Sequence, residues 1–365
     1  KTLTLKAPKT IEIKKINREA AEKTRSAIML MSSLAGKFRK YSIPQAGGCK
    51  LGARTVKPHL FVLENFGIKI KAKEDCFEVD AGKFNKAGKV VLYESGDTVT
   101  ESALMAAAQI PEETTIKMAT SNYMVQDLCF FLEKLGVKIS GIGGTTLKVE
   151  GLKKINKNIV YEISEDPIEA MFFISLAITT KSKLLVKRCP LEFLELELLK
   201  LEKMGQKYVV KQEYKAKNGH TDLVDLEIIP SKLIALEEKL HGLPFPGLNM
   251  DNLPFFVPIA MVAKGKTLIH DWVYENRAVY FTELNRLGAN ISLLDPHRVY
   301  VEGPTTIRNA EMMSPPALRP AAIILVAMLA AKGRSVLRDV YSINRGYENL
   351  EERLQSIGAD IKSVI

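Results

Sequence analysis

The stretch LEKLGVKI, residues 132–139, closes an amphipathic helical pattern on a glycine and then sets off as a strand. It has four near copies: LENFGIKI (63–70), LEKMGQKY (201–208), LNRLGANI (284–291) and LQSIGADI (354–361). Their glycines are Gly67, Gly136, Gly205, Gly288 and Gly358, at intervals of 69, 69, 83 and 70 residues. A single glycine past a helix is common, because a left-handed residue there lets the last carbonyls find partners. Five copies at a near-constant interval mark a repeated supersecondary unit.

The flanks of each copy read alike. A small-residue apolar helix comes first: ESALMAAAQI (101–110), PIEAMFFISLAI (167–178), LPFFVPIAMVA (253–263) or RPAAIILVAMLAA (319–331). A short strand follows, TTIKMA (114–119), KLLVKR (183–188), KTLIHDW (266–272) or RSVLRDV (334–340). Then come a loop, the helix that ends on the glycine, and two strands, as in VKISGIGGTTLKVEG (137–151) and ANISLLDPHRVYVEG (289–303). The unit is βαβαββ. Helices this apolar on every side must be buried among other helices. The expectation is an α/β protein with helices inward and sheets outward.

Counting back from Gly67 places the next glycine before residue 1, and TLTLKAP (2–8) resembles the closing strand TTLKVEG (145–151). The reading is that one earlier unit is missing and that six units would make two domains of three. Residues 1–163 then hold two complete units and a trailing strand, and residues 164–365 hold three. The boundary falls at YEISEDP (161–167), near Ser164. A domain short of one unit would expose a core face, so poor stability alone is expected.

With 365 residues, 46% of them hydrophobic, the chain can bury a sizeable core. The net charge of +10 raises the question of nucleic acid. The lysines are spread along the whole chain, and no recognition module or aromatic-basic cluster accompanies them, so neither nucleic acid nor a membrane is expected as partner. The apolar run at 321–331 is too short to span a bilayer. The start, KTLTLKAPKTIEIKK, reads as a strand and a charged connection, not a signal peptide. Four scattered cysteines make neither a metal pattern nor a disulfide framework, and the expected compartment is the cytoplasm.

One cysteine differs from the rest. In IPQAGGCKLGAR (43–54), Cys49 follows two glycines, with Lys50 and Arg54 beside it. Basic neighbours favour the thiolate, which is the reactive form. The plainer alternative is a small loop residue with no chemistry. Cys76, Cys129 and Cys189 lie in strand or helix patterns and read as core. Several arginines stand singly beside Gly or Pro in loops. Their planar guanidinium fork suits phosphate and carboxylate, although any one alone reads equally well as a surface residue.

The repeated units and the loop GGC-x-x-G-A-R together resemble the enolpyruvyl transferases. The closer branch is the UDP-N-acetylglucosamine enolpyruvyl transferases (1-carboxyvinyltransferases) of bacterial wall synthesis; the other branch, the shikimate-pathway synthases, lacks the cysteine loop. The resemblance covers essentially the whole chain and is strongest in TRSAIML (24–30), SGDTVTESALMAAA (95–108), VYENRAVYFTELNRLGANI (273–291) and INRGYENLEERLQSIGADI (343–361). It implies two inside-out α/β barrel domains closing over a cleft, with helix amino termini directed at anions. It also implies phosphoenolpyruvate and a UDP-amino sugar as partners, with no metal and no cofactor.

Site residues carry over position by position. Cys49 matches the lid cysteine that acts on the enolpyruvyl methylene. Arg25, Arg54, Arg277 (in ENR), Arg319 (in ALR) and Arg345 (in NRGYE) fall on family arginines. Asp251, in GLNMDNLP, matches the aspartate that takes the proton from the sugar 3-hydroxyl; its alternative reading is a helix N-cap. His59 falls on a family position near the cysteine loop, or simply starts a helix. Gly96 and Thr98 would open a helix facing the nucleotide's phosphates, or merely start one. Tyr274 replaces a phenylalanine that stacks on the nucleotide.

The chain also departs from the pattern. An aspartate two residues before Arg319 is here Ala317. Lys57 stands where the uridine-facing loop has an acid, Pro167 replaces a hinge arginine, and Asn122 and Met124 replace acids of the third unit. The expected activity is transfer of the enolpyruvyl group to UDP-N-acetylglucosamine with release of phosphate. Two alternatives stay open: the same chemistry on another acceptor, and a catalytically impaired anion-binding paralogue.

Overall fold

The computed structural model of the protein describes residues 2–6, 8–47, 55–85 and 88–364. All five repeat glycines have a positive φ: 75° at Gly67, 107° at Gly136, 93° at Gly205, 88° at Gly288 and 95° at Gly358. They follow the helices Lys57–Glu64, Tyr123–Leu135, Glu195–Lys203 and Leu350–Ser356, and the 3-10 helix Ala278–Leu287. A side chain is strained in this conformation and glycine is not, which is why the repeat fixes this residue above all others.

The complete unit is visible twice. In the first, the strands stand side by side in the order Lys89–Val91, Thr114–Lys117, Thr146–Glu150, Lys138–Ser140. The first pair is parallel and the other two are antiparallel. The second repeats both the order and the polarity with Leu240–His241, Gly265–His270, Arg298–Gly303 and Asn290–Asp295. A parallel pair needs a crossover, and in the first unit the buried helix Asp97–Ala107 supplies it.

The other sheets are parts of the same plan. Cys76–Asp80 lies between Lys40–Pro44 and Lys69–Ala72, and Asp222–Ile229 lies between Leu184–Cys189 and Lys207–Lys215, all antiparallel. Glu311–Met313 runs parallel to Val336–Arg338, with the helix Leu318–Ala330 between them in sequence. None of these sheets closes into a barrel among the described residues.

The chain divides into two compact units, one ending at Tyr161 and the other running from Glu162. In the first, Asp97–Ala107 packs against Leu30–Ser33, Lys57–Glu64 and Tyr123–Leu135. In the second, Pro167–Thr179, Phe256–Val262 and Leu318–Ala330 pack against one another. Pro167–Thr179 is buried at eleven of its positions, a helix enclosed on nearly every side. The strands instead alternate, as in Thr146–Glu150, where Leu147 and Val149 are buried and their neighbours exposed. Helices thus supply the middle of each unit, and each sheet shows one face to water.

Two expectations are corrected. Residues 2–6 form no strand and are exposed, so the alternation in TLTL finds no partner ladder among the described residues. Cys129 and Cys189 are core, but Cys76 is only half-buried, at the start of its strand.

Candidate active site

A polar cluster of the second unit centres on Arg277, which is 1% exposed. Its Nε and Nη2 grip the carboxylate of Asp271 from both sides of the fork, the Nη2–Oδ1 bond being 2.9 Å. Nη2 also donates to the carbonyl of Met250, and Nη1 donates to Asp251 Oδ1 at 3.1 Å. The ring of Tyr274 lies beneath the guanidinium, 4.0 Å from its centroid. Burial pushes the Asp271 carboxyl up while the bidentate guanidinium pulls it back, and the two carboxylates hold Arg277 firmly charged.

Asp251 is more open, with 28% of its side chain exposed. It stands in the turn before the 3-10 helix Leu253–Phe255, whose cap is Asn252 and not Asp251. Its carboxylate faces Arg277 with one oxygen and Arg319 with the other, Oδ2 lying 3.7 Å from Arg319 Nη2. Arg319 sits in the first turn of Leu318–Ala330 and also donates to the Tyr347 hydroxyl at 3.3 Å. That phenol is pushed up to about 12 by burial, so it stays protonated. A carboxylate held between two guanidiniums, one of them reaching solvent, can take a proton from a hydroxyl beside an anionic ligand.

The first unit holds a second cluster, around His59 in the first turn of Lys57–Glu64. Its Nδ1 lies 3.0 Å from Ser102 Oγ and its Nε2 lies 3.3 Å from Thr98 Oγ1. Burial, reinforced by the charge of Arg25, pushes the imidazole down to about 4. At neutral pH it is therefore uncharged, with one ring nitrogen donating and the other accepting. Arg25 itself donates to the carbonyl of Thr55 at 2.9 Å. Gly96 caps the helix Asp97–Ala107 without a side-chain bond, and Thr98 lies on its first turn.

The structure thus gathers Asp251, Arg277, Arg319 and Tyr274 in one cluster and Arg25, His59, Gly96 and Thr98 in another. Arg345 is exposed in the short helix Tyr341–Gly346, outside the bonds that join the first group. Cys49 and Arg54 lie outside the described residues. Tyr274 turns a ring face to Arg277.

The departures have local reasons. Ala317 takes the N-cap of Leu318–Ala330, is fully buried, and gives no side-chain cap. Pro167 takes the first helical position after the capping Asp166, where its missing N–H and fixed φ cost nothing. Asn122 caps Tyr123–Leu135 and donates to Asp97 Oδ2 at 3.0 Å, an amide bonding where a second acid would repel. Met124 is exposed.

Sequence reasoning missed Asp271, Tyr347 and Glu101. Asp271 stands six residues before Arg277 and Tyr347 two after Arg345, so both lay inside quoted motifs without a role. Glu101 is four residues after Asp97 on one helix face; burial and then the charge of Asp97 push its carboxyl up to about 7.

Residues 4–354 match the family model described as EPSP synthase (3-phosphoshikimate 1-carboxyvinyltransferase). A UDP-N-acetylglucosamine 1-carboxyvinyltransferase of Treponema denticola is 32% identical over 358 residues, 96% of this chain and 81% of that protein. One of Bradyrhizobium diazoefficiens is 32% identical over 363 residues, 98% of this chain and 81% of its own. Among solved structures, the enolpyruvyl transferase NikO from Streptomyces tendae superposes with a TM-score of 0.79 at 21% identity, covering 95% of this chain and 79% of that one. That likeness is one of fold. No helix among the described residues is long and apolar enough to cross a membrane.

Proposed function

The chain belongs to the EPSP synthase family, the enolpyruvyl (1-carboxyvinyl) transferases, and on that premise we propose how it acts. It moves the enolpyruvyl group of phosphoenolpyruvate to the 3-hydroxyl of UDP-N-acetylglucosamine and releases phosphate, the committing step of peptidoglycan precursor synthesis. The acceptor is the one named in relatives about one-third identical over nearly the whole chain. We assign residues 1–163 and 164–365 to two enolpyruvyl transferase domains, each an inside-out α/β barrel. The mutual packing of buried helices and the half-exposed strands support that reading. Both substrates belong to the cell interior, which supports a cytoplasmic location.

The observation that carries the mechanism is the Asp251 carboxylate held between Arg277 and Arg319. Asp251 takes the hydroxyl proton as the oxygen adds to C2 of phosphoenolpyruvate, and the Cys49 thiol gives its proton to the methylene carbon, becoming the thiolate that its basic neighbours favour. The product of addition is a tetrahedral ketal. The Cys49 thiolate then takes back a methyl proton as phosphate leaves, which restores the double bond on the acceptor. Arg319 offsets the charge of phosphate and carboxylate, while Arg277 fixes Asp251. These steps need no metal and no organic cofactor.

Asp251→Asn keeps the shape and removes the base. Its kcat should fall on the order of 100- to 10,000-fold, the range typical of a lost general base. Cys49→Ala should likewise slow turnover strongly. Mass spectrometry of UDP-N-acetylglucosamine incubated with phosphoenolpyruvate checks the reaction itself, since the product carries an added enolpyruvyl group. Undiminished turnover in Asp251→Asn would remove that residue from the mechanism. A second reading, the same chemistry on a different hydroxylated anion, is favoured by Lys57 opening its helix in place of an acid. Mass shifts on other acceptors but none on UDP-N-acetylglucosamine would select it.

A further inference from the structure

Glu197 is 2% exposed, in the first turn of the helix Glu195–Lys203. Among the described residues no ion pair reaches it, and the charge of Lys200 is the least of the influences on its carboxyl. Its Oε1 instead accepts two hydrogen bonds, from the Asn249 backbone N–H at 3.1 Å and from Asn252 Nδ2 at 2.7 Å. Both donors belong to one turn, and Asp251 lies between them. Inside that turn, Asn249 Oδ1 accepts the Asp251 N–H at 2.8 Å, and Asn249 O accepts the N–H groups of Asn252 and Leu253.

The opposite side of the turn is also held. Gly242 lies against Met250 so closely that an added Cβ would come within 2.9 Å of the Met250 Cα. The carbonyl of Gly242 accepts from Trp272 Nε1 at 2.7 Å. The carbonyl of Met250 accepts from Arg277. The bonds to the backbone of Asn249, Met250 and Asp251 thus fix the chain on either side of the Asp251 carboxylate.

A buried carboxylate is costly unless its hydrogen bonds compensate. Burial pushes the Glu197 carboxyl up, and the bonds from Asn252 and Asn249 oppose that shift. A purely apolar helix face would pack here without that cost. We infer that Glu197 is a positioning residue for the transfer reaction, holding the Asn249–Asn252 turn so that the Asp251 carboxylate meets Arg277, Arg319 and the acceptor hydroxyl. The inference rests on the reading of Asp251 as the base.

The bonds need an acceptor at one distance and not a negative charge. Glu197→Gln keeps that acceptor and loses the charge. Glu197→Asp keeps the charge and withdraws the acceptor by one methylene. The two variants therefore separate positioning from electrostatics. Glu197→Asp should lower kcat on the order of 10- to 100-fold with the KM for phosphoenolpyruvate little changed, because a slightly misplaced base impairs the step and not the binding. Glu197→Gln should recover most of that loss.

Hydrogen–deuterium exchange over residues 249–253 gives a readout independent of turnover. Exchange should be slow in the wild type and in Glu197→Gln, and faster in Glu197→Asp. Equal exchange and equal kcat in all three proteins would overturn the inference, as would a Glu197→Gln variant impaired as much as Glu197→Asp. If the wild type itself transfers no enolpyruvyl group, the transferase reading fails, and the exchange pattern still decides whether Glu197 holds the turn.

Discussion

Arg277 turns its guanidinium on the protein itself. Buried and bonded to Asp271, Asp251 and Met250, it organises the site, while Arg319 is the arginine that reaches solvent. Lysine cannot reproduce that fork. Arg277→Lys should lower the unfolding free energy by about 3 kcal/mol, the scale of breaking a buried ion pair, as read by denaturant titration. A loss within error would mean that Asp271 finds another partner.

Glu101 makes a pH-dependent prediction. Its carboxyl rises from 4.5 to about 7, mainly through burial, so the folded chain holds this proton more tightly than the unfolded one. The resulting stability is complete below about pH 4.5 and is lost as the pH rises to about 7. Glu101→Gln, which cannot ionise, should therefore stabilise the protein at pH 8 by at most roughly 3 kcal/mol, and by little at pH 4. A gain of the same size at both pH values would assign the effect to packing. At this scale Asp251, Arg277 and Arg319 were legible because each sits in a motif. Asp271 and Glu197 were not, because a buried acid and a surface acid look alike until the partner across the fold is known.

At the scale of elements, the repeat was legible because five helix ends share one backbone requirement. That requirement is met in different surroundings. A Cβ on Gly67 would fall 2.2 Å from the Lys83 carbonyl oxygen, whereas one on Gly358 meets nothing within 4 Å. Gly358→Ala should thus cost only the left-handed strain, about 1–2 kcal/mol, and Gly67→Ala clearly more. Thermal melts of the two variants check the ranking; equal losses would mean that the turn at Lys83 gives way freely. The opening strand was misread because alternation supplies faces, while a strand also needs a neighbour for its N–H and C=O groups. The segment Ala278–Leu287 had the helical period but winds as a 3-10 helix, a difference that apolar spacing over ten residues does not resolve.

At the scale of the whole molecule, one βαβαββ plan is used repeatedly, and the polar clusters sit where helices begin. Asp251 precedes one helix, Arg319 and His59 lie in the first turns of two others, and Thr98 opens a fourth. An apolar repeat thus buries its helices and leaves their amino ends to chemistry. All of this chemistry rests on one reaction, transfer of an enolpyruvyl group to a nucleotide sugar. Phosphate release from phosphoenolpyruvate, measured with and without UDP-N-acetylglucosamine, tests it most directly. Release should require the sugar nucleotide and nearly disappear in Asp251→Asn. Release indifferent to the sugar nucleotide, or no release from either mixture, would contradict it.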